Sequence, residues 1–475
     1  MDVRPEPDPS CPSCAALSAR LDRVEELVLE QALVIVKQGE EIERLKARKP
    51  KTSRTSSKPP SSDGPWASRG ASKEPSGRGR GGQPGHKGAK RKQAPPDDVD
   101  ETKMVKPEQC GSCGASLSGD DPDPWRHQVI DIPPIKPHLT QYEVHRLTCL
   151  ECGETTSACL PGDVHQSSFG PNLSALVVLL SGEYRMSRRN IQRLVADSHG
   201  IDLSLGAISN IERRMTAGLQ NAHAEAMASV AASATKHLDE TTWRQSGILA
   251  WVWAAVGEAA TVFLIRNSRK SAVARELIGD EPTGVVISDR YSGYLFIDPG
   301  QRQVCFAHLI RDFRRMAEGE KELRWIGERL LGLTRAVFRL WHLYQGGELE
   351  RAVLKRWSRQ LRVRMIWLLD QGALSRGYET PGMCRGILRT EPAMWTFVER
   401  EGVEPTNNVA ERAVRPAVIH RKTSLGSQSE RGSRFVERMQ TASATLRQRG
   451  RSLNDFIVDV AHAVLADGPS PKLLR

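Results

Sequence analysis

The 475-residue sequence predicts a multidomain α/β protein, and three observations carry that prediction. Strand-like runs of period two, interleaved with short helical runs, fill the stretch after Ala234. Helical periodicity dominates the segments on both sides of it. Two Cys-x-x-Cys pairs mark a further small unit upstream. A chain of this length should hold two to four domains and can bury a sizeable core.

Charge is concentrated. Between Lys46 and Lys92 fourteen Lys and Arg face only Asp63 and Glu74, so this stretch carries the whole excess behind the net charge of +11. That points to a polyanion, most plausibly nucleic acid, rather than to a membrane surface, because the stretch has no amphipathic apolar face. No leading apolar segment follows the first methionine, and the longest apolar run, Leu173–Leu180, is far too short to span a bilayer. The expectation is a cytoplasmic protein without a signal peptide. Three of the Cys-x-x-Cys pairs use six of nine cysteines, which in a reducing compartment suggests metal or redox work before disulfides.

Residues 1–48 read as a coiled-coil helix. Leu21, Val28, Ile35 and Ile42 take one heptad position, and Leu17, Val24, Gln31, Gln38 and Leu45 the other. β-branched residues at the first position suit a parallel dimer, and the Gln pair can fix register. Cys11 and Cys14 form a lone pair with no visible partner. Residues 49–104 are a basic linker rich in Lys, Arg, Ser, Gly and Pro that cannot form a core. Lys58, Arg78, Arg80, His86, Lys87, Lys90, Arg91 and Lys92 are its candidate DNA contacts.

Residues 105–160 read as a zinc ribbon. Cys110, Cys113, Cys149 and Cys152 form two pairs, each followed directly by glycine, and four thiolates so arranged hold Zn²⁺ tetrahedrally. The segment between them, HQVIDIPPIKPHLTQYEVHRLTC, alternates like strands. Residues 165–232 turn helical, with Gly200 and Ser204 as stop and start signals of a helix-turn-helix-like hairpin. Helical hairpins are also common in folds that never touch DNA.

Residues 233–315 carry the chemistry. KHLDETTW, ILAWVWAAVG and ATVFLIRN read as three strands, Lys270–Leu277 as a helix, GVVISDRYSGY as a buried strand, and QVCFAHLIRDFRRM as a strand running into a helix. That order is the one expected of a ribonuclease-H-like core. Asp239 would end the first strand and Asp289 the fourth, on neighbouring strands. Two aspartates so placed are costly unless a cation neutralises them, and a pair of divalent ions about 3.5–4 Å apart does so around a phosphodiester. Magnesium prefers such oxygens. Alternation along the strand favours Asp239 over its neighbour Glu240.

Residues 316–402 read as an all-helical insertion, with Trp325, Trp341, Trp357, Trp367 and Trp395 expected as core rather than as base-stacking platforms. Residues 403–465 hold the final core helix and a basic segment, in which Arg421 and Lys422 beside a Ser/Gly-rich loop are plausible phosphate contacts. In PTNNVAERAVRP, Thr406 can cap a helix and Asn407, Glu411 and Arg415 share one edge. Alone, Glu411 and Arg415 are a surface pair worth about 0.2–0.5 kcal/mol. A two-aspartate metal site, however, needs a third carboxylate from elsewhere.

Taken in order, SSKPPSSDG (56–64), GGQPGHKG (81–88), the Cys110/Cys113/Cys149/Cys152 ribbon, LDETTW (238–243), SDRYSGY (288–294), CFAHLIRDF (305–313) and TNNVAER (406–412) resemble the insertion sequence 66 transposases, the TnpC-type DDE family. The resemblance spans nearly the whole chain. It implies that Asp239, Asp289 and Glu411 are an acidic triad binding Mg²⁺ (or Mn²⁺), and that Asn408, His308 and Arg311 stand beside it. It also implies cleavage at transposon ends, strand transfer of the freed 3′-OH into target DNA, and work with small accessory proteins. The expected partners are double-stranded DNA and further copies of the chain, as a homodimer or higher oligomer, associated with the bacterial nucleoid when bound. Departures from the family pattern stand at Thr55, Arg290 and Phe306, where asparagine, glycine and tryptophan are common. Arg290, a cation beside Asp289, could compete with metal or contact substrate. A catalytically inactive DNA-binding protein and a structure-specific nuclease of the same fold are the alternatives.

Overall fold

The sheet at the centre of the chain takes its strands out of chain order, and that shuffle positions the site. The computed structural model describes residues 12–47, 55, 85–88, 91–162 and 164–475. Cys11 and most of the basic linker, including Lys58, Arg78, Arg80 and Lys90, lie outside them.

A single helix, α1 (Pro12–Ala47), runs for 36 residues. Leu21, Val28, Ile35 and Ile42 are each at least half exposed along it. Downstream, the cysteine pairs form two matching knuckles. Cys110 N donates to Ala115 O and Cys149 N to Glu154 O, while Gly114 and Gly153 donate back to the first cysteine's carbonyl. Both glycines have positive φ, 74° and 73°, which other residues adopt only at a cost. Strands form only at β1 (Arg146–Thr148) and β2 (Thr155–Ser157), paired antiparallel around the second knuckle. The expected strands over 127–145 are absent. Pro133, Pro134 and Pro137 remove ladder donors there, and Val129, Ile130, Ile132 and Leu139 lie exposed instead of packing.

Helices α2 (Pro171–Gly182), α3 (Arg188–His199), α4 (Leu205–Gly218) and α5 (Gln220–Ala232) follow. The Ser187 and Ser204 side chains cap α3 and α4, and Gly200 closes α3 in the left-handed region. Only Ile191 and Val195 of α3 are buried.

The sheet consists of β3 (Thr235–Gln245), β4 (Ile248–Val256) and β5 (Thr261–Arg266), then, after α6 (Ser271–Ile278), β6 (Val285–Ser288) and β7 (Arg302–Val304). Its order is β5-β4-β3-β6-β7. The first three strands form an antiparallel meander, and β6 and β7 run parallel to β3. β4 reads as an unbroken apolar run because helices cover both faces. Asp239 does not end its strand: it is the fifth of eleven residues. The pairing with β4 carries β3 on to Gln245, whereas the parallel ladder with β6 stops at His237↔Ile287. Asp239 therefore lies just past the end of that ladder, opposite Asp289.

Between β7 and the last core helix come α7 (Phe306–Glu318), which leads out of the sheet, and α8 (Arg324–Gln345), α9 (Arg351–Leu374), α10 (Thr380–Leu388) and α11 (Thr396–Glu399) in the stretch expected as an insertion. Its core packs Phe306, Leu330, Leu369, Met394 and Phe397 together with Val285, Ile287 and Val304 of the sheet. Trp341 and Trp395 belong to it, but Trp325, Trp357 and Trp367 are 40%, 43% and 54% exposed. The core expectation fails for these three. On α9, Leu354, Met365, Leu368 and Leu369 take the buried side; the helical period turns Trp367 to the opposite side and puts Trp357 at the edge of the buried stripe.

The chain closes with α12 (Asn408–Ser424), α13 (Glu430–Gln448) and α14 (Leu453–Leu465). One sheet face, with Leu238, Trp253 and Leu264, packs on α5, α6 and α13, and α2, α4 and α14 extend the same core outward. The opposite face carries α12, through Trp243, Val252, Val414 and Ala417. Helix α13 also covers the β5 edge. Thr445 Oγ1, Thr441 Oγ1 and Glu437 Oε1 accept the N–H groups of Thr261, Phe263 and Ile265 at 3.1, 3.0 and 2.5 Å. One helix face at i, i+4 and i+8 thus satisfies donors that a sixth strand would otherwise take.

Candidate active site

Period-two alternation divides the two acids of β3. Leu238 and Glu240 face the large core, where Glu240 accepts from Arg269 Nη2 at 2.6 Å and from Tyr294 Oη at 2.5 Å. Its side chain is 2% exposed. Glu240 is thus fully engaged by a guanidinium and a phenol. Asp239 points to the other face, the one covered by α12, and no cation pairs with it among the described residues. Burial first, then the charges of Glu240, Asp289 and Glu411, hold the Asp239 carboxyl well above the usual carboxylate range. Three elements therefore bring Asp239, Asp289 and Glu411 within mutual electrostatic reach.

Asp289 follows β6 in a tight turn in which its Oδ1 accepts from Tyr291 N at 2.9 Å. Buried Arg302 fixes that turn, donating to Asp289 O at 2.7 Å and to Ser288 Oγ at 3.2 Å. Arg290 does not approach the Asp289 carboxylate as a counter-ion; its guanidinium is paired with Asp312 on α7.

Glu411 lies in the first turn of α12. His308 Nδ1 is 3.5 Å from its Oε1 and Arg311 Nη2 is 3.6 Å from its Oε2. Residues 308 and 311 share one side of α7 at i, i+3 spacing. Glu411 Oε1 and His308 Nδ1 are shielded from solvent, and neither makes a hydrogen bond. Buried polar atoms are normally satisfied, so this pair invites a further ligand. Asp239 feels the charges of Asp289 and Glu411 and has no cation beside it, and a Glu411 oxygen lacks a hydrogen bond, so the residues fit a divalent cation, although the three carboxylates do not gather into one tight cluster of ligand atoms.

A residue beside the expected one holds the assembly. Asn408 is exposed at the start of α12, whereas Asn407 is fully buried. Asn407 Nδ2 donates to Leu238 O at 2.6 Å, Oδ1 lies 3.2 Å from His237 Nδ1, and its N–H donates to Cys305 Sγ at 3.1 Å. Its carbonyl accepts the Glu411 N–H at 3.1 Å. One residue therefore ties β3, through its side chain, to the start of α7 and to α12, through its backbone. The Asn407–Glu411 spacing was the signal available in sequence. Thr406 does not cap the helix: Asn407 takes the N-cap position, without a side-chain cap bond.

The remaining expected residues are spread out. His86, Lys87, Arg91 and Lys92 are exposed; Arg91 donates to Gln128 O at 2.9 Å. Arg421 bonds to Thr242, and Lys422 is exposed. The neighbouring Ser/Gly loop is partly structural, since Ser427 N donates to Arg244 O at 2.9 Å and Trp243 Nε1 to Ser427 Oγ at 3.1 Å. The two ribbon pairs do not meet: the one cluster of three metal-ligating side chains among the described residues is Cys305, His308 and Glu411. Within each pair, backbone N–H groups of the knuckle bond to the leading sulfur and lower the Cys110 and Cys149 thiols from their ordinary value.

Sheet and site together define an α/β protein with an acidic centre suited to a divalent cation. The chain belongs to the IS66 family of transposases, whose family model matches residues 166–435. That span holds the helical hairpins, the sheet, the insertion and α12. Residues 7–92 match a second model, described as a family of unknown function. The chain is also similar to two proteins of Sinorhizobium fredii. It is 26% identical to uncharacterized protein y4hP over 420 residues, covering 80% of this chain and 74% of that one. Uncharacterized protein y4qI is 23% identical over 251 residues, 47% of this chain and 45% of its own length. A transposase role entails DNA binding. Among the described residues no helix is long and apolar enough to cross a membrane.

Proposed function

We propose that the chain is a DDE transposase that cleaves insertion-sequence ends and joins them to target DNA at a site built from Asp239, Asp289 and Glu411. The observation that carries this reading is the state of Asp239, a carboxylate pushed upward by burial first and then by the charges of Glu240, Asp289 and Glu411, with no cation beside it. Structural acids in this protein are treated otherwise, as Glu240, Glu391 and Glu437 each meet an arginine. Carboxylates are left uncompensated where a charge is to be bound. The strand order β5-β4-β3-β6-β7, with β6 and β7 parallel to β3, supports a ribonuclease-H-like core.

Asp239, Asp289 and Glu411 would hold Mg²⁺ or Mn²⁺. The ions would supply a lowered pKa for the attacking water and stabilisation of charge on the phosphate oxygens. The protein's own part is positional. Arg302 fixes the turn that presents Asp289, Asn407 fixes the helix that presents Glu411, and Arg311 offers a cation to a phosphate at the rim. His308, whose pKa burial lowers, stays neutral and able to donate or accept a proton near Glu411. Water attack on a terminal phosphodiester frees a 3′-OH, and attack of that hydroxyl on target DNA exchanges one phosphodiester for another. The matching knuckles at Cys110/Cys113 and Cys149/Cys152 support a structural Zn²⁺ ribbon, and the linker supports phosphate contacts upstream of it.

Incubation of the full chain with labelled insertion-sequence ends, a target plasmid and Mg²⁺ tests the reading. It predicts end nicks and joined products. Binding without metal-dependent products would leave an inactive DNA-binding protein, and nicks without joining would leave a nuclease.

A further inference from the structure

The cluster of Cys305, His308 and Glu411 contains a thiol that the proposed chemistry does not use. Cys305 precedes α7 and His308 lies in its first turn, so an i, i+3 spacing aims both toward the Glu411 helix. One donor atom from each lies within 4.8 Å of the other two. Tetrahedral zinc, with bonds of about 2.0–2.3 Å, needs donors about 3.5 Å apart, so side-chain movements of about 1 Å close the set. The Cys305 side chain is fully buried, and Glu411 Oε1 and His308 Nδ1 face each other without hydrogen bonds. A sulfur, an imidazole nitrogen and one carboxylate oxygen are a poor set for magnesium, which demands oxygens and keeps its waters, and a good set for zinc.

We propose that Cys305, His308 and Glu411 form a second metal site, selective for zinc and similar borderline-soft divalent ions, that withdraws Glu411 from the acidic centre and so inhibits the protein. Three protein ligands leave a fourth position for water or a DNA phosphate oxygen. Binding converts the Cys305 thiol to a thiolate and releases one proton to solvent. The inhibitory consequence rests on Glu411 being catalytic; the metal site itself does not.

Two measurements on the full-length protein separate these points. Metal-stripped protein is titrated with Co²⁺, following thiolate-to-metal absorption and bound stoichiometry, in the wild type and in Cys305→Ser, Glu411→Gln and Asp289→Asn. The ribbon cysteines are present in all four and cancel in the comparison. Cys305→Ser and Glu411→Gln should each lose the part of the thiolate-to-metal absorption that the ribbon cysteines do not supply, while Asp289→Asn, whatever it loses at the acidic centre, keeps that absorption. Glu411→Gln, at a half-exposed position, guards against a folding defect in Cys305→Ser. Unchanged thiolate-to-metal absorption in both variants overturns the site. Next, Zn²⁺ is titrated into nicking reactions of the wild type and Cys305→Ser with excess Mg²⁺, each normalised to its own zinc-free rate. Half-inhibition of Cys305→Ser should need about tenfold more zinc or beyond, in line with the 10–100-fold affinity losses seen when metal sites lose support. Equal sensitivity of Cys305→Ser and wild type overturns the inhibitory role. A wild type that binds the extra equivalent yet never nicks DNA refutes the transposase reading while leaving the metal site in place.

Discussion

At the scale of single residues the acidic centre is a matter of which way a strand faces. Asp239 and Glu240 are adjacent, and period two sends one to the α12 face and the other to Arg269 and Tyr294. That division was legible in sequence because alternation is local. The role of Asn407 was not, since its partners Leu238 and Cys305 lie 169 and 102 residues away. His237, which touches Asn407, gives a prediction with a definite sign. Burial lowers its pKa from 6.5 to about 4, and His420 behaves alike. The unfolded chain therefore takes up protons before the folded one. Stability is fully present above about pH 6.5 and falls toward pH 4, by up to about 1.4 kcal/mol per pH unit for each histidine. Urea midpoints measured from pH 7.5 to 4.5 should fall less steeply in His237→Gln than in the wild type; parallel curves would contradict the assignment.

Elements explain the rest of the site. Helix α12 looked in sequence like a short amphipathic helix with a surface ion pair; the aspartates on distant strands created the need for a third carboxylate, and the resemblance to the transposase family is what pointed to Glu411. Asn407→Ala should lower the rate of end cleavage by about tenfold or more, while DNA affinity changes little, because positioning errors act on the reacting geometry. Asn407→Asp should restore none of the loss, as it replaces the Leu238 O donor with a charge; rescue by Asp, or an equal loss in DNA affinity, would argue against a positioning role. The cover on β5 was not legible at all. Nothing in the local pattern of a basic helix announces that Thr441 and Thr445 bond to a strand edge some 180 residues away. Thr441→Val keeps the shape but leaves the Phe263 N–H without its acceptor, at a cost of about 1–3 kcal/mol in chemical denaturation. No change in stability would show that this edge needs no cover. The expected ribbon strands failed for a related reason: alternation alone does not make a ladder where prolines remove the donors and no core receives the apolar side chains.

For the whole molecule, the sequence exposes more than one chain can bury. The half-exposed Leu21, Val28, Ile35 and Ile42 on α1 repeat at heptad spacing, and a stripe of that kind on a lone helix predicts self-association. Deletion of residues 1–47 should reduce the mass seen by sedimentation to that of a single chain while the remainder still melts cooperatively; an unchanged mass would place the interface elsewhere. The succession of strands along the chain was readable because each carried its own pattern, and the expected core made the first and fourth neighbours; the packing of the insertion was not readable, and three of its tryptophans are 40–54% exposed. The central claim is that three carboxylates from β3, the end of β6 and α12 act as one site, with Glu240 outside it. Its most direct test is end cleavage in Mg²⁺ by Asp239→Asn, Asp289→Asn, Glu411→Gln and Glu240→Gln side by side. The account predicts that the first three lose nicking to background while binding DNA normally, and that Glu240→Gln, though less stable, still nicks. Full cleavage by Glu411→Gln, or loss confined to Glu240→Gln, would contradict it.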